Sequence, residues 1–167
     1  MVNSSNQSEL RVRPARENDL GSILGFIREL ATFENLLDDV IATEDDLRRW
    51  LFGKRRVAEA AIGEYKGLPV AYVLYFHTFS TFSGKPGIYV DDLFVKEEFR
   101  GKGIGRMMMS YLAKVVKNHG YERLEWTALN WNERAIRLYK RLGAVAEDEW
   151  TGYRLSGEAL DKLAAEF

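Results

Sequence analysis

The segment from Ile88 to Asn118 constrains the fold of this chain more than any other. Ile88-Tyr-Val-Asp-Asp-Leu-Phe-Val95 is apolar on both alternating faces, so it reads as a strand central in its sheet and covered on both sides. Arg100-Gly-Lys-Gly-Ile-Gly105 follows. Beyond it Ile104, Met108, Tyr111, Leu112 and Val115 recur at helical spacing, and Gly120 is a left-handed cap. A strand that feeds a glycine turn opening a helix sets three positions without side chains, Gly101, Gly103 and Gly105, beside the unpaired N–H groups of the first helical turn. Arg100, Lys102 and Arg106 add positive charge there. An anion suits such a junction, and a pyrophosphate is its natural occupant. Two phosphate loops are excluded. Gly101-Lys102 is followed by Gly103 where a Walker loop needs Ser or Thr, and Arg106 breaks the GxGxxG fingerprint, which belongs on a first strand.

The flanking segments define the layers. Leu10 to Arg13 form a short strand ended by Pro14. Leu20, Ile23, Leu24, Ile27 and Leu30 mark a helix from Asp19 to about Phe33. Thr43 with Glu44, Asp45 and Asp46 starts a second helix that Gly53 ends. Arg56–Glu64 and Pro69–Phe79 are strands joined by Tyr65-Lys-Gly-Leu68, and Gly84–Gly87 is the next turn. Tyr121–Ala128 is a strand, Asn132 caps a helix ending before Gly143, a hairpin lies within 144–155, and Ser156 caps a last short helix. The order β-α-α-β-β-β-α-β-α-β-β describes a mixed α/β sandwich, a sheet of about six or seven strands with helices on both faces. Residues 1–9 read as a disordered polar tail and 10–167 as one domain. A chain of 167 residues, 46% hydrophobic, can bury the core this needs.

Charge and composition remove several classes. Lys+Arg number 24 against 25 Asp+Glu, a net charge of −1, which argues against non-specific nucleic-acid binding. Cysteine is absent, so there is neither a disulfide nor a thiol nucleophile. His77 and His119 lack a partner constellation and read as structural or surface residues, so no metal is expected. No apolar run approaches the roughly 18–20 residues that span a bilayer, and the polar start lacks the parts of a signal peptide. A cytoplasmic protein without membrane contact is expected.

The acids point to a cationic ligand. Glu34, Asp38, Asp39, Glu44, Asp45 and Asp46 crowd residues 34–46 with no Lys or Arg among them. In the central strand, alternation sends Asp91 and Asp92 to opposite faces. An unpaired buried carboxylate costs several kcal/mol, roughly, so at least one of them faces a wet cleft. Asp92 reads as structural, paired with backbone or a buried Arg. Tyr139 shares a helical stripe with Ala135, Leu138 and Leu142, and spacing alone reads it as core.

Val95 with Arg100-Gly-Lys-Gly-Ile-Gly105, Trp131-Asn-Glu133 and Leu138-Tyr-Lys-Arg-Leu-Gly-Ala144 resembles the GNAT superfamily of N-acetyltransferases, over nearly the whole chain. Arg13-Pro-Ala, Glu29-Leu-Ala-Thr-Phe-Glu, Tyr89-Val-Asp-Asp-Leu-Phe-Val and Ala135 to Ala144 are most similar to its spermidine/spermine (diamine) branch. The resemblance implies acetyl-CoA as co-substrate. Main-chain groups of Leu93, Phe94 and Val95 would pair with the pantetheine arm as with an added strand. Residues Arg100, Gly101, Lys102, Gly103, Ile104, Gly105 and Arg106 would hold the pyrophosphate. Asn132, Arg134, Ala135 and Tyr139 would lie near the thioester. It also implies Tyr139 as general acid and Asp91 as substrate carboxylate and base, one methylene shorter than the branch's Glu. Phe33, Glu34, Glu125, Trp126 and Thr127 would line the acceptor channel, and the enzyme would be a homodimer. One position departs: the branch has an acid in the final hairpin where Thr151 stands here, with Glu149 two residues earlier. That leaves polyamines, short diamines and thialysine or lysine-like amines as acceptors. A protein N-terminal or lysine acetyltransferase, and a non-catalytic acetyl-CoA-binding regulatory domain, remain as alternative readings.

Overall fold

A computed structural model describes residues 9–167. They group into two compact units dividing between Leu129 and Asn130. The tail expected over 1–9 lies outside the described residues except for Glu9. That residue accepts the Lys66 N–H at 2.8 Å through its carbonyl and pairs with the Lys66 ammonium at 3.2 Å, so it continues the sheet edge.

The first unit is a five-stranded sheet in the order β1-β2-β3-β4-β5: β1 Leu10–Pro14, β2 Glu59–Tyr65, β3 Leu68–Ser80, β4 Lys85–Val95 and β5 Arg123–Trp126. Successive neighbours are antiparallel except β4 and β5, which run parallel. The β2–β3 connection is the tight turn its sequence specifies. Lys66 and Gly67 both adopt positive φ, 51° and 80°, which matches the right-handed twist of the strands they join.

Helices cover both faces. Helix α1 (Leu20–Glu34) and α2 (Glu44–Leu47, continued by a wider π turn over Arg48–Phe52) pack Leu20, Ile23, Leu24, Phe26, Leu47 and Leu51 on Ala60, Ile62, Tyr72 and Phe94. The Thr43 hydroxyl accepts the Asp46 N–H while the Asp46 carboxylate takes the Thr43 N–H, a closed capping box that starts α2 where the sequence places it. On the other face α3 (Ile104–Asn118) seats Ile104, Met108, Leu112 and Val116 on Ala61, Ala71, Val73, Ile88 and Val90. Gly63 permits that approach, since a Cβ there would lie 2.8 Å from Met108 Sδ. At the edge of β1, Arg13 grips the Asp19 carboxylate with two bonds of 2.7 and 2.9 Å and Glu64 with a third at 2.7 Å, tying the α1 start to the sheet.

The second unit holds α4 (Glu133–Leu142) and α5 (Gly157–Ala164). Asn132 Oδ1 caps α4 by accepting the Ala135 N–H at 3.2 Å, and Gly143 closes it at φ 86°. Ser156 precedes α5, though its hydroxyl makes no capping bond. The hairpin expected within 144–155 is absent, so the sheet has five strands rather than six or seven. Val145, Trp150 and Tyr153 are all exposed, and a ribbon with no face to bury does not hold its ladder. No helix among the described residues is long and apolar enough to cross a membrane.

Candidate active site

The site begins where two parallel strands part. β5 follows β4 only from Gly87 to Val90 and ends at Trp126, while β3 stays with β4 as far as Val95. Among the described residues no strand covers the other edge of β4 from Asp91 onward. Lys96 N–H bonds back to Val70 C=O on β3, so alternation turns the main-chain groups of Leu93 and Val95 outward and those of Phe94 towards β3. Leu93 and Val95 are therefore the two of the three expected strand residues that offer backbone to a ligand. Arg100 Nε donates to Val95 C=O at 2.8 Å, and its guanidinium lies 5.1 Å from the Phe33 ring and 5.5 Å from that of Phe94. It fastens the strand end to the C-terminal end of α1.

The strand then delivers the chain to α3. Gly101 and Gly103 hold φ of 80° and 84°, and a Cβ at either would meet no atom within 4 Å. Gly103 is the N-cap and supplies no side-chain bond, so the amides of the first turn take no cap from it. Lys102 stands at the same corner, its ammonium 4.9 Å from the Phe99 ring and 5.3 Å from that of Tyr65. The exposed Arg106 follows in the first turn.

The carboxylates are arranged differently from simple alternation. The register slips between Leu74, opposite Asp92, and Tyr75, opposite Val90, so Asp91 is the extra residue of a β-bulge. Asp91 is exposed there, while Asp92 falls on the α1 face with Phe94. Asp92 pairs with neither backbone nor arginine, the partners expected for it. Its Oδ2 accepts the Tyr72 hydroxyl at 2.6 Å, because Tyr72 lies diagonally across on β3 and reaches it along the same face. Burial and the Asp91 charge push the Asp92 carboxyl up, opposed by the Tyr72 bond. Burial and then the Asp92 charge likewise raise Glu34 at the end of α1. Asp92 thus feels the charge of Asp91 and bears on Glu34, the residue after Phe33 on α1. The sequence signal for Tyr72 is a tyrosine flanked by aliphatic residues in Val70-Ala-Tyr-Val-Leu74, whose hydroxyl must find an acceptor once buried.

On β5, Glu125 is already engaged: Arg123 Nε donates to it at 2.7 Å and the Thr78 hydroxyl at 3.4 Å. Thr127 receives the Tyr89 hydroxyl at 3.2 Å. Trp126 packs against the α3-side core. Away from these, His77 does have a partner, Glu59, at 3.0 Å. Among the described residues no group of three or more His, Asp or Glu is placed to hold a metal ion.

In the second unit, α4 carries the remaining expected residues. The Asn132 carbonyl is committed to its cap, Arg134 is exposed, and Ala135 gives its N–H to that cap. Tyr139 is half-buried, and that burial pushes its phenol up, so it keeps its proton through neutral pH.

The open edge of β4 thus runs directly into the glycine loop and the first turn of α3. Over residues 18–144 the chain matches the profile of the acetyltransferase (GNAT) family, to which it belongs, and it is an N-acetyltransferase. It is 41% identical to the mouse thialysine N-epsilon-acetyltransferase over 92% of this chain and 96% of that protein. It is 27% identical to an L-ornithine N5-acetyltransferase of Arabidopsis thaliana, over 92% and 87% of the two chains. Among solved structures, a V. cholerae integron cassette protein superposes with a TM-score of 0.78 at 29% identity, covering 93% of this chain and 98% of that one.

Proposed function

We propose that this enzyme transfers an acetyl group from acetyl-CoA to the primary amine of a small cationic acceptor, a polyamine, a diamine or a thialysine- or lysine-like amine. The observation that carries the reading is the open edge of β4 leading directly into the amide-lined start of α3. The residues fit the co-substrate: Leu93 and Val95 offer a backbone edge to an extended arm, and the positive-φ glycines leave room for a pyrophosphate over the amides. Bound acetyl-CoA supplies an activated thioester and a thiolate leaving group. Relatives named for thialysine and ornithine support an amine that is cationic and small.

A lysine-like ammonium, with a pKa near 10.4, roughly, is not nucleophilic until it loses a proton. Glu34 and Asp91 attract and orient it, and Asp91 takes the proton through water. Tyr139, held protonated by burial, gives its proton to sulfur as charge develops there. The chain has no cysteine to carry the acetyl group, so the amine receives it directly in a ternary complex. The resemblance to the diamine branch supports a homodimer, for which light scattering at twice the chain mass is the check.

The test is thiol release from acetyl-CoA with spermidine, putrescine, thialysine, lysine and a histone-tail peptide. Saturable turnover is expected with at least one small cationic amine. Turnover of the peptide alone would transfer the reading to protein acetylation, and release with none of the five would reject it.

A further inference from the structure

Tyr72 is the bulkiest side chain with no exposure at all, in the run Val70-Ala-Tyr-Val-Leu74. An aliphatic residue would fill that position without a polar atom to satisfy, so the hydroxyl needs a reason. Phe26 stacks flat on the ring, with centroids 5.5 Å apart and planes 8° from parallel, and Phe26 also meets Phe94 at 6.2 Å. The ring is clamped, and its hydroxyl is aimed at Asp92. Burial and the nearby carboxylates push the phenol well above its ordinary value, so it acts only as a donor.

The cations on this face are engaged elsewhere. Lys96 pairs with Glu29 at 3.5 Å, and Arg100 holds Val95 C=O between the Phe33 and Phe94 rings. The groups facing Asp92 are Tyr72 from β3, Asp91 beside it and Glu34 from α1. A guanidinium in the place of Tyr72 would cancel the Asp92 charge and compete with a cationic acceptor. A phenol orients the carboxylate and adds no charge, leaving it for the ligand.

We propose that Tyr72 is a positioning residue for the acceptor: clamped by Phe26, its hydroxyl holds Asp92 beside Glu34 and Asp91 so that the three acids together meet the acceptor's ammonium. The inference rests on the amine-acetylating reading above and adds to it a residue that touches neither co-substrate nor reacting atoms.

Tyr72→Phe removes only the hydroxyl. With thialysine or spermidine, whichever the wild type turns over better, KM is expected to rise about tenfold with kcat nearly kept. The acid limb of kcat/KM moves to higher pH, because Asp92 loses the bond that favours its ionised form. In an Asp92→Asn background the same change leaves KM and the limb where they are, while acetyl-CoA affinity by calorimetry stays at the wild-type value throughout. A Tyr72→Phe enzyme with wild-type KM and acid limb, altered only in melting temperature, makes Tyr72 a core tyrosine and overturns the proposal. Should Tyr72→Phe fail to fold, Asp92→Asn must raise KM by itself, and an unchanged KM there overturns it equally. A wild type that acetylates none of the amines refutes the underlying reading instead.

Discussion

Gly103→Ala separates what the loop does for the fold from what it does for the co-substrate. Gly103 sits at φ 84°, and an added Cβ would meet nothing within 4 Å, so the change creates no clash and its cost is confined to backbone strain. An L-residue in that region costs about 1–2 kcal/mol, which lowers Tm by a few degrees in a chain of this size. Gly84 provides the matched control. It has φ 65° with nothing within 4 Å, and it lies in the β3–β4 turn at the opposite end of β4, roughly 30 Å away at ~3.3 Å per residue. Gly84→Ala should therefore lose comparable stability. Only at Gly103 does the methyl group enter the space above the α3 amides, where one lost amide-to-phosphate bond is worth about 1.5–3 kcal/mol. Calorimetry should then show acetyl-CoA binding weakened about 10- to 150-fold for Gly103→Ala and unchanged for Gly84→Ala. Equal melting losses with equal, wild-type affinities would refute the assignment of the loop to the pyrophosphate.

Tyr139→Phe should lower kcat by roughly 10²–10⁴-fold, the range for a lost general acid, with acetyl-CoA affinity by calorimetry unchanged. Asp91→Asn should raise KM for a cationic acceptor and displace the pH–rate profile upward, towards the pH where free amine exists unaided; a wild-type profile would remove Asp91 from amine deprotonation. Arg13→Met strands Asp19 and Glu64 in a largely buried setting and should cost about 3–5 kcal/mol in denaturant unfolding, with no change in the pH–rate profile. Two Arg13 bonds, with the Arg16 N–H, hold Asp19 below its ordinary carboxylate value. In acid the unfolded chain consequently binds the extra proton. This part of the stability is complete above the unfolded pKa and is lost as pH falls through the folded one, and Asp19→Asn should flatten the acid limb of a Tm–pH curve. Asp92 has the opposite sign: its raised pKa makes ionisation destabilising as pH rises, so Asp92→Asn should raise Tm at neutral pH relative to acid.

Local chemistry was legible in the residues themselves. The strand–glycine–helix junction, the Thr43–Asp46 cap, the Lys66-Gly67 turn and the Asn132 cap each depend on neighbours within a few positions, so spacing and residue type suffice to place them. The family resemblance followed from the same short motifs. What depended on pairing between distant segments was not legible. Alternation sent Asp91 and Asp92 to opposite faces, but the register between β3 and β4 inserts Asp91 as a bulge, and a bulge arises from how two strands match rather than from either alone. Asp92 found Tyr72, twenty residues away, because their register made them diagonal neighbours on one face. The hairpin expected within 144–155 leaves Val145, Trp150 and Tyr153 exposed, so propensity without burial did not become structure. The open edge of β4 likewise follows from where β5 stops pairing. Hydrogen bonds and turns across three or four residues are written into the chain locally. Which carboxylates gather, and which backbone edge stays open, is decided only when strands far apart in sequence settle into register.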